Sequence, residues 1–538
     1  MFQANVPMKI LSRALEGHSH RANLVTLGLI LSGVVSAYVI AQRIIASDFQ
    51  GLVYVGLSVV AGVVVIAILK NWRSGLYFFL AWLLFEDLAR KFLGNNMAIY
   101  FAKDGIVAVI YLAFFLAYRR SRKEEIKPFR FPFRAALLVF VWFGIIQIFN
   151  PASSHIAFGI LGAKLYFYYM PLLLIGYYLI NSETELRRFF YVNLSLMLVI
   201  VVLGLVQSIV GPRFLNPAVM ADDIRLLSES YRVAPISGAI VYRPTSVFVS
   251  AGRFADMLIV AWMVVFGFSG YLLLRHRRGR IFAFLTLALI AAGCLMCASR
   301  GVFMWTLGST IVGSIAFVWG APWRHGEALR VVRTLQRASL GIALAVVVLS
   351  FAYPEAFLGR LAVYSETLDP RSSATELVHR SRDYPLKNFL AAFDYPRWPY
   401  GYGIGAISLG GQYVSRFFNV RPVVSSVESG FGCIVIEMGI GGLILWFVMS
   451  ITILFHAWKV VLGLKGSPWF PLGFMIFWYA FLLLIPMTFS AMTPYQDFIM
   501  NAYMWLLLGV LFRLPKLALS ASLQPSVPLQ QPRGPWSR

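Results

Sequence analysis

Long apolar stretches recur along nearly the whole of this chain, and no other feature constrains its fold as strongly. A helix of roughly 17–25 apolar residues crosses the ~30 Å hydrocarbon layer of a bilayer. Stretches of about that order lie at 24–42, 51–69, 76–93, 98–118, 135–149, 158–180, 191–211, 254–274, 281–296, 302–319, 340–351, 430–458, 469–489 and 498–512. Several are short enough to be tilted or re-entrant, so the expectation is an all-α polytopic membrane protein with about 12–14 transmembrane helices. Composition agrees: 59% of the 538 residues are hydrophobic and 13% charged, where a soluble globular chain has about 45–50% and about 25%. A disordered chain lacks such apolar content, and a disulfide-stapled one needs more than 3 Cys.

The net charge of +24 would suggest nucleic acid in a soluble protein. Here the basic residues fall on alternate connections, as the positive-inside rule requires. They include Lys70 and Arg73, the cluster between 119 and 134, Arg187 and Arg188, the cluster between 275 and 280, that between 324 and 337, Lys459 and Lys465, and Arg513 and Lys516. The basic excess is therefore a topology signal with attraction to anionic membrane lipids as a by-product, and no nucleic acid is expected as a partner. Both termini read as cytoplasmic: 1–23 as a leader too polar for a cleavable signal, and 513–538, with Pro525, Pro528, Pro532 and Pro535, as a disordered tail.

Residues 24–512 then form the membrane domain, with long outer connections at 212–253 and 352–429. Loops longer than about 15 residues are commonly functional, so chemistry is expected on the outer side. Cys294, Cys297 and Cys433 lie within apolar spans and read as packing residues rather than redox or zinc ligands. No cluster has metal-ligand spacing, so neither metal nor cofactor is expected, and no internal repeat is visible.

Three outer features carry chemical side chains. Arg243 ends the first long connection in Tyr242-Arg243-Pro244-Thr245-Ser246, and Arg300 sits in Ser299-Arg300-Gly301 between two spans. A planar fork of donors suits phosphate recognition, and each Arg also reads as an interfacial anchor that snorkels to head groups. The second long connection holds His379-Arg380-Ser381-Arg382-Asp383, Gly401, Gly403 and Gly405 in alternation, and Glu428-Ser429-Gly430. The glycines read as a sharp turn, with an anion cradle as the alternative. Lys164 in a span reads as a snorkelling side chain. Glu86, Asp87 and Arg90 are spaced as a helix-face ion pair, with a catalytic role the other reading. Trp398, Tyr400 and Tyr402 read as filling the loop.

Four segments together resemble the bacterial O-antigen ligase and O-antigen polymerase superfamily. They are YRPTSVFVS at 242–250, SRGVFMWTLGS at 299–309, HRSRDYPLKNFLAAFDYPRWPYGYGIG at 379–405, and VESGFGCIVIEMGIGGLILW at 427–446, in which Glu428, Glu437 and Gly439 stand at the family's spacing. FEDLARKFL at 85–93 and AKDGIVAVIY at 102–111 are similar to the exopolysaccharide polymerase subgroup. The ligases carry His then Asn where this chain has Glu428 and Ser429, which favours polymerase-like members.

The resemblance implies a metal-independent, inverting glycosyltransferase of the GT-C type in the bacterial inner membrane, its active site facing the periplasm. The donor would be a glycan on undecaprenyl pyrophosphate and the acceptor a second lipid-linked glycan, with chain-length regulators or export proteins as further partners. Arg243 and Arg300 would stabilise the departing diphosphate, with Lys164 as a further diphosphate ligand if it does not snorkel, and Trp398, Tyr400 and Tyr402 would stack on sugar rings if they do not fill the loop. Glu428, whose other reading is an N-terminal helix cap or charge partner, would take the acceptor proton. Arg380, Arg382, Lys164 and Tyr242 would contact substrate. The alternatives are a ligase acting on lipid A core or another acceptor, and a transporter of the same lipid-linked sugar.

Overall fold

The computed structural model describes residues 49–94, 97–121, 129–217, 220, 222–275, 279–322, 351, 353–369, 382–423 and 425–523. Residues up to 76 together with 106–117 make one compact unit, and 77–105 with 118–538 a second. Helix α1 (Phe49–Lys70) is followed directly by α2 (Trp72–Phe92), of which only the start, to Leu76, belongs to the first unit. Asn71 separates them because its side-chain oxygen accepts the N–H groups of Arg73 at 3.1 Å and Ser74 at 3.3 Å, capping the new helix. Trp72 meets Phe114 edge to face, with ring centroids 5.2 Å apart.

The chain continues through α3 (Met97–Ser121), of which 106–117 belongs to the first unit, and then, in the second unit, α4 (Arg134–Ile148), α5 (Ile156–Phe167), α6 (Leu172–Leu179), α7 (Glu183–Val210) and α8 (Asp222–Ser228). A two-stranded antiparallel hairpin follows, β1 (Tyr231–Val233) with β2 (Ile240–Tyr242). Next come α9 (Ala251–Arg275), α10 (Arg280–Met296), α11 (Arg300–Gly320), α12 (Pro354–Leu368), α13 (Tyr384–Ala391), α14 (Gly411–Phe418), α15 (Gly430–Gly463), α16 (Phe470–Leu482) and α17 (Phe498–Leu523). Among the described residues, 8 helices are long and apolar enough to cross a membrane, and Ser58–Lys70, Arg134–Ile148 and Arg280–Met296 are shorter apolar helices. The chain is thus mostly helical, with the helices of a multi-pass membrane protein.

Every expected span that falls on described residues coincides with helix. Those at 24–42 and, apart from Phe351, 340–351 lie outside them, as do both chain ends. Three details differ from the sequence reading. The stretch 158–180 is broken between α5 and α6, where Pro171 begins a new helical segment. The chain is not wholly α, because short β-branched and aromatic runs on either side of 234–239 pair as the hairpin. Helix α17 runs on to Leu523 through Pro515, with Leu514 and Leu517 buried, so its apolar face outlasts the expected boundary at 512.

Helix α17 is the most enclosed span, with 89% of its apolar window buried against 28% for α11. It packs closely on α6 because Gly176 and Gly509 face each other's helix. A Cβ on Gly176 would strike the Leu506 carbonyl, and one on Gly509 the Leu173 carbonyl. Helix α9 lies against α7, α10, α11, α16 and α17, so whatever its first turns carry is held from several sides.

Candidate functional site

The segment between β2 and α9 is fixed before any site residue is considered. The buried Gln207 side-chain oxygen accepts the N–H groups of Thr245 at 2.8 Å and Ser246 at 2.6 Å. From α2, the Lys91 ammonium donates to the Thr245 hydroxyl at 2.9 Å and the Ser246 carbonyl at 2.8 Å. Ser246 is held at φ 51°, left-handed backbone that a non-glycine residue adopts where its surroundings impose it. Arg243 and Arg253, at the two ends of this segment, are positioned as a consequence.

Helix α12 closes over the α10–α11 connection. Its Arg360 donates to the Met296 carbonyl at 2.8 Å and the Tyr242 carbonyl at 3.0 Å, and Tyr364 donates to the Leu295 carbonyl at 2.9 Å. Glu366 accepts the N–H groups of Ile236 at 2.7 Å and Ser237 at 3.0 Å, so α12 also grips the hairpin turn. These hydrogen bonds, led by those from Ser237, hold the Glu366 carboxyl below its usual value. Ala234, Val241, Ala298 and Val363 fill the space beneath.

Both predicted arginines belong to this cap. The Arg243 backbone N–H donates to the Ser230 carbonyl at 2.9 Å, and its guanidinium lies within electrostatic reach of Cys297, Tyr364 and Asp256. Burial draws its pKa down, and its Nε is buried without a hydrogen-bond partner among the described residues. Arg300, the first residue of α11, points an Nη at the Val233 carbonyl, 3.5 Å away, and lies in the field of Glu366. Tyr242 is half-buried, its phenol within 3.5 Å of the Asn216 amide and 3.4 Å of the Ser228 carbonyl, and burial pushes its pKa up to about 12.

Next to the cap lies a buried ionic network. Asp87 receives Arg253 at 2.7 Å and Arg90 at 2.9 Å, Glu86 receives Lys103 at 2.7 Å, and Asp104 receives Lys164 at 2.6 Å. Lys103 also lies 3.7 Å from the Tyr100 ring centroid. Arg253 is 4.0 Å from Asp497, whose other oxygen caps α17 by accepting the N–H groups of Ile499 and Met500. The ion-pair reading of Glu86, Asp87 and Arg90 therefore describes their geometry, and Lys164 is a paired cation.

The glycine-rich loop is built differently. Gly401, Gly403 and Gly405 all have positive φ, and a Cβ at Gly405 would run into the Phe158 carbonyl, so the segment is the sharp turn the alternation suggested. Its anchor is Glu437, fully buried in α15, which accepts from the Ser408 hydroxyl at 2.7 Å, the Tyr166 hydroxyl at 2.9 Å and the Ile407 N–H at 3.2 Å. Two residues on, Gly439 at φ 70° kinks α15 against the Pro399 carbonyl. Among the loop aromatics, Trp398 packs edge-on against Phe393 and Tyr402 against Tyr395, while Tyr400 is 80% exposed.

Glu428 does not join the arginines. It is exposed, its backbone N–H donates to Asn388 of α13 at 3.1 Å, and no contact among the described residues ties its carboxylate to Arg243 or Arg300. The adjoining Ser429 gives its hydroxyl to the Phe489 carbonyl at 2.8 Å instead of capping α15. Arg382 is exposed and 3.3 Å from Asp383, and Arg380 lies outside the described residues. The sequence reading passed over Arg253, Asp256 and Asp497; the available signal was a base and an acid three residues apart in the first turns of a span. No protein-family model matches this sequence, and no curated protein is detectably similar to it.

Proposed function

We propose that this chain is a GT-C-type polysaccharide polymerase. It moves a glycan from an undecaprenyl-diphosphate carrier onto a second lipid-linked glycan at the periplasmic face of a bacterial inner membrane. The supporting observation is the Arg243 guanidinium, held by a rigid segment with a buried, unsatisfied Nε beside the α10–α11 connection that ends in Arg300. As the anomeric bond to the diphosphate breaks, negative charge develops on the leaving oxygen, and fixed donors aimed there lower the barrier. Guanidinium forks suit a diphosphate better than point charges do.

Binding tests this reading. Purified protein should retain undecaprenyl diphosphate in preference to neutral undecaprenol, and Arg243→Ala should abolish the preference. Equal retention of the two lipids by the unaltered protein would remove the diphosphate from the site. Sidedness has its own check: alkaline phosphatase joined near residue 400 should be active and near residue 330 inactive, and the reverse would put the arginines in the cytoplasm.

A further inference from the structure

Helix α14 (Gly411–Phe418) is short and strongly two-sided. At 3.6 residues per turn, Tyr413, Val414, Phe417 and Phe418 fall on one side of it and Gln412, Ser415 and Arg416 on the other. The bundle sets its position. Just before it, the Ser408 hydroxyl donates to Glu437 at 2.7 Å and the Leu409 N–H to the Gln496 side chain at 3.0 Å. Gly410 enters the helix at φ 84°, and Asn419 ends it at φ 52° with its N–H on the Ser415 carbonyl. Gly411 and the Ser415 hydroxyl are buried against the protein, whereas Phe417 is 83% exposed, and Gln412, Tyr413 and Arg416 are exposed with it.

The depth of α14 follows from α5, which opens the apolar span Ile156–Leu179. The Phe418 ring stacks on His155, the residue that caps α5, with centroids 4.3 Å apart. At the other end of α14, a Cβ on Gly411 would meet the Phe158 ring at 3.5 Å, and one on Gly410 the Leu161 side chain at 3.8 Å. Helix α14 therefore lies beside the stretch from His155 to Leu161. At 1.5 Å per residue that stretch reaches roughly 8 Å past the start of the span, and interfacial helices bury their apolar face about 5–10 Å into the head-group and acyl boundary.

The neighbouring surface at this level is apolar too. Ile156 and Ile160 of α5 are exposed, and α4, packed on α5, approaches the same end with Trp142, Ile146 and Phe149 exposed. On spans of a membrane protein such residues face lipid, so Tyr413 and Phe417 extend a lipid-facing surface instead of opening a new one. Aromatic residues on one edge with a basic residue on the other are what a helix at this boundary requires, because the rings enter the acyl region while the guanidinium reaches the head groups.

We infer that α14 is a membrane-contact helix whose partner is the phospholipid surface, with Tyr413 and Phe417 among acyl chains and Gln412 and Arg416 at the head-group level. It holds the segment between the glycine-rich turn and Glu428 against the bilayer. The contact does not depend on the transferase reading.

The experiment places a spin label on full-length Gln412→Cys, Tyr413→Cys, Arg416→Cys and Phe417→Cys proteins in vesicles of phosphatidylcholine with a minor fraction of phosphatidylglycerol. Cys294, Cys297 and Cys433 are buried, so labelling of the unaltered protein supplies the background. Collision rates are then measured with oxygen, which concentrates in hydrocarbon, and with a water-soluble nickel chelate. The ratio of oxygen to nickel collisions should be several-fold higher at 413 and 417 than at 412 and 416. Equal ratios at all four positions, or nickel favoured at 417, would put the apolar edge in water and overturn the inference. Spin–spin broadening at 417 that vanishes on dilution with unlabelled protein would also overturn it, because a second copy would then cover the face. The unaltered protein gives an independent reading: a phospholipid carrying a photoreactive diazirine on its acyl chain should label residues 411–418, and labelling that spares them while marking α4 and α5 would contradict the contact even if the cysteine variants fail to accumulate.

Discussion

The ionic network around Asp87 and the arginine cap around Arg243 draw on the same residue types and share Arg253 as a neighbour, but they differ in what is left over. In the network Asp87, Glu86 and Asp104 each have a cation at 2.6–2.9 Å, and charges so matched hold helices together. In the cap, no ion pair among the described residues holds Arg243, and its buried Nε has no hydrogen-bond partner there. Burying a cation without a paired acid costs stability, which sets Arg243 apart from the paired cations of the network. The comparison separates charges that build the protein from charges that act, although the membrane environment makes both conspicuous.

The largest expected effect tests the structural side. Asp87→Ala removes the acid that Arg253 meets at 2.7 Å and Arg90 at 2.9 Å, and removing one partner of a buried pair costs about 3–5 kcal/mol. The variant should fail to accumulate or melt far below wild type in detergent. A normal melting curve would mean the network is not what holds α2 to α9.

Next come the charges assigned to act. Arg243→Ala and Arg300→Ala should each lower turnover by roughly two to three orders of magnitude while protein levels stay normal, and Lys should restore only part because it lacks the fork. Near-normal turnover in both Ala variants would reduce them to interfacial anchors, and collapse of the fold would move them into the structural group. A smaller change is expected at Glu428, which is exposed and makes no contact with either arginine, so its replacement by Gln should lower turnover less than either Ala variant does. A larger loss would return the proton to the loop.

The smallest effect concerns the cap's own stability. Hydrogen bonds from Ser237 and Ile236 depress the Glu366 pKa below its ordinary 4.5. Its contribution is therefore present above pH 4.5 and disappears as pH falls through the lowered folded value. Melting curves of wild type and Glu366→Gln should differ at neutral pH and converge in acid. A gap that persists in acid would show that the carboxylate charge is not what grips the hairpin turn.

Much of this arrangement was legible in the sequence, for reasons that differ by residue. The spans could be read because apolar runs of membrane length have few other uses, and Arg243 and Arg300 stood out as cations at the ends of such runs. The break at Pro171 could be placed only once α5 and α6 were seen to separate there. The three-residue strands of the hairpin are too short to leave a period. Arg253 was invisible for a different reason: a base in the first turns of a span ordinarily reads as an interfacial anchor. Its work appears only when Asp87, more than 160 residues away in sequence, is seen to hold it. Glu437 shows the converse, a motif residue whose spacing was noticed but whose work is to anchor the 401–408 turn.

Product length tests the central claim most directly. Purified protein supplied with undecaprenyl-diphosphate-linked oligosaccharide, with products resolved on a gel, should give a ladder of lengthening glycans that disappears in Arg243→Ala. A single addition to an acceptor would indicate a ligase. Substrate unchanged in length, with or without movement across a membrane, would contradict the assignment of Arg243 and Arg300 to glycosyl transfer.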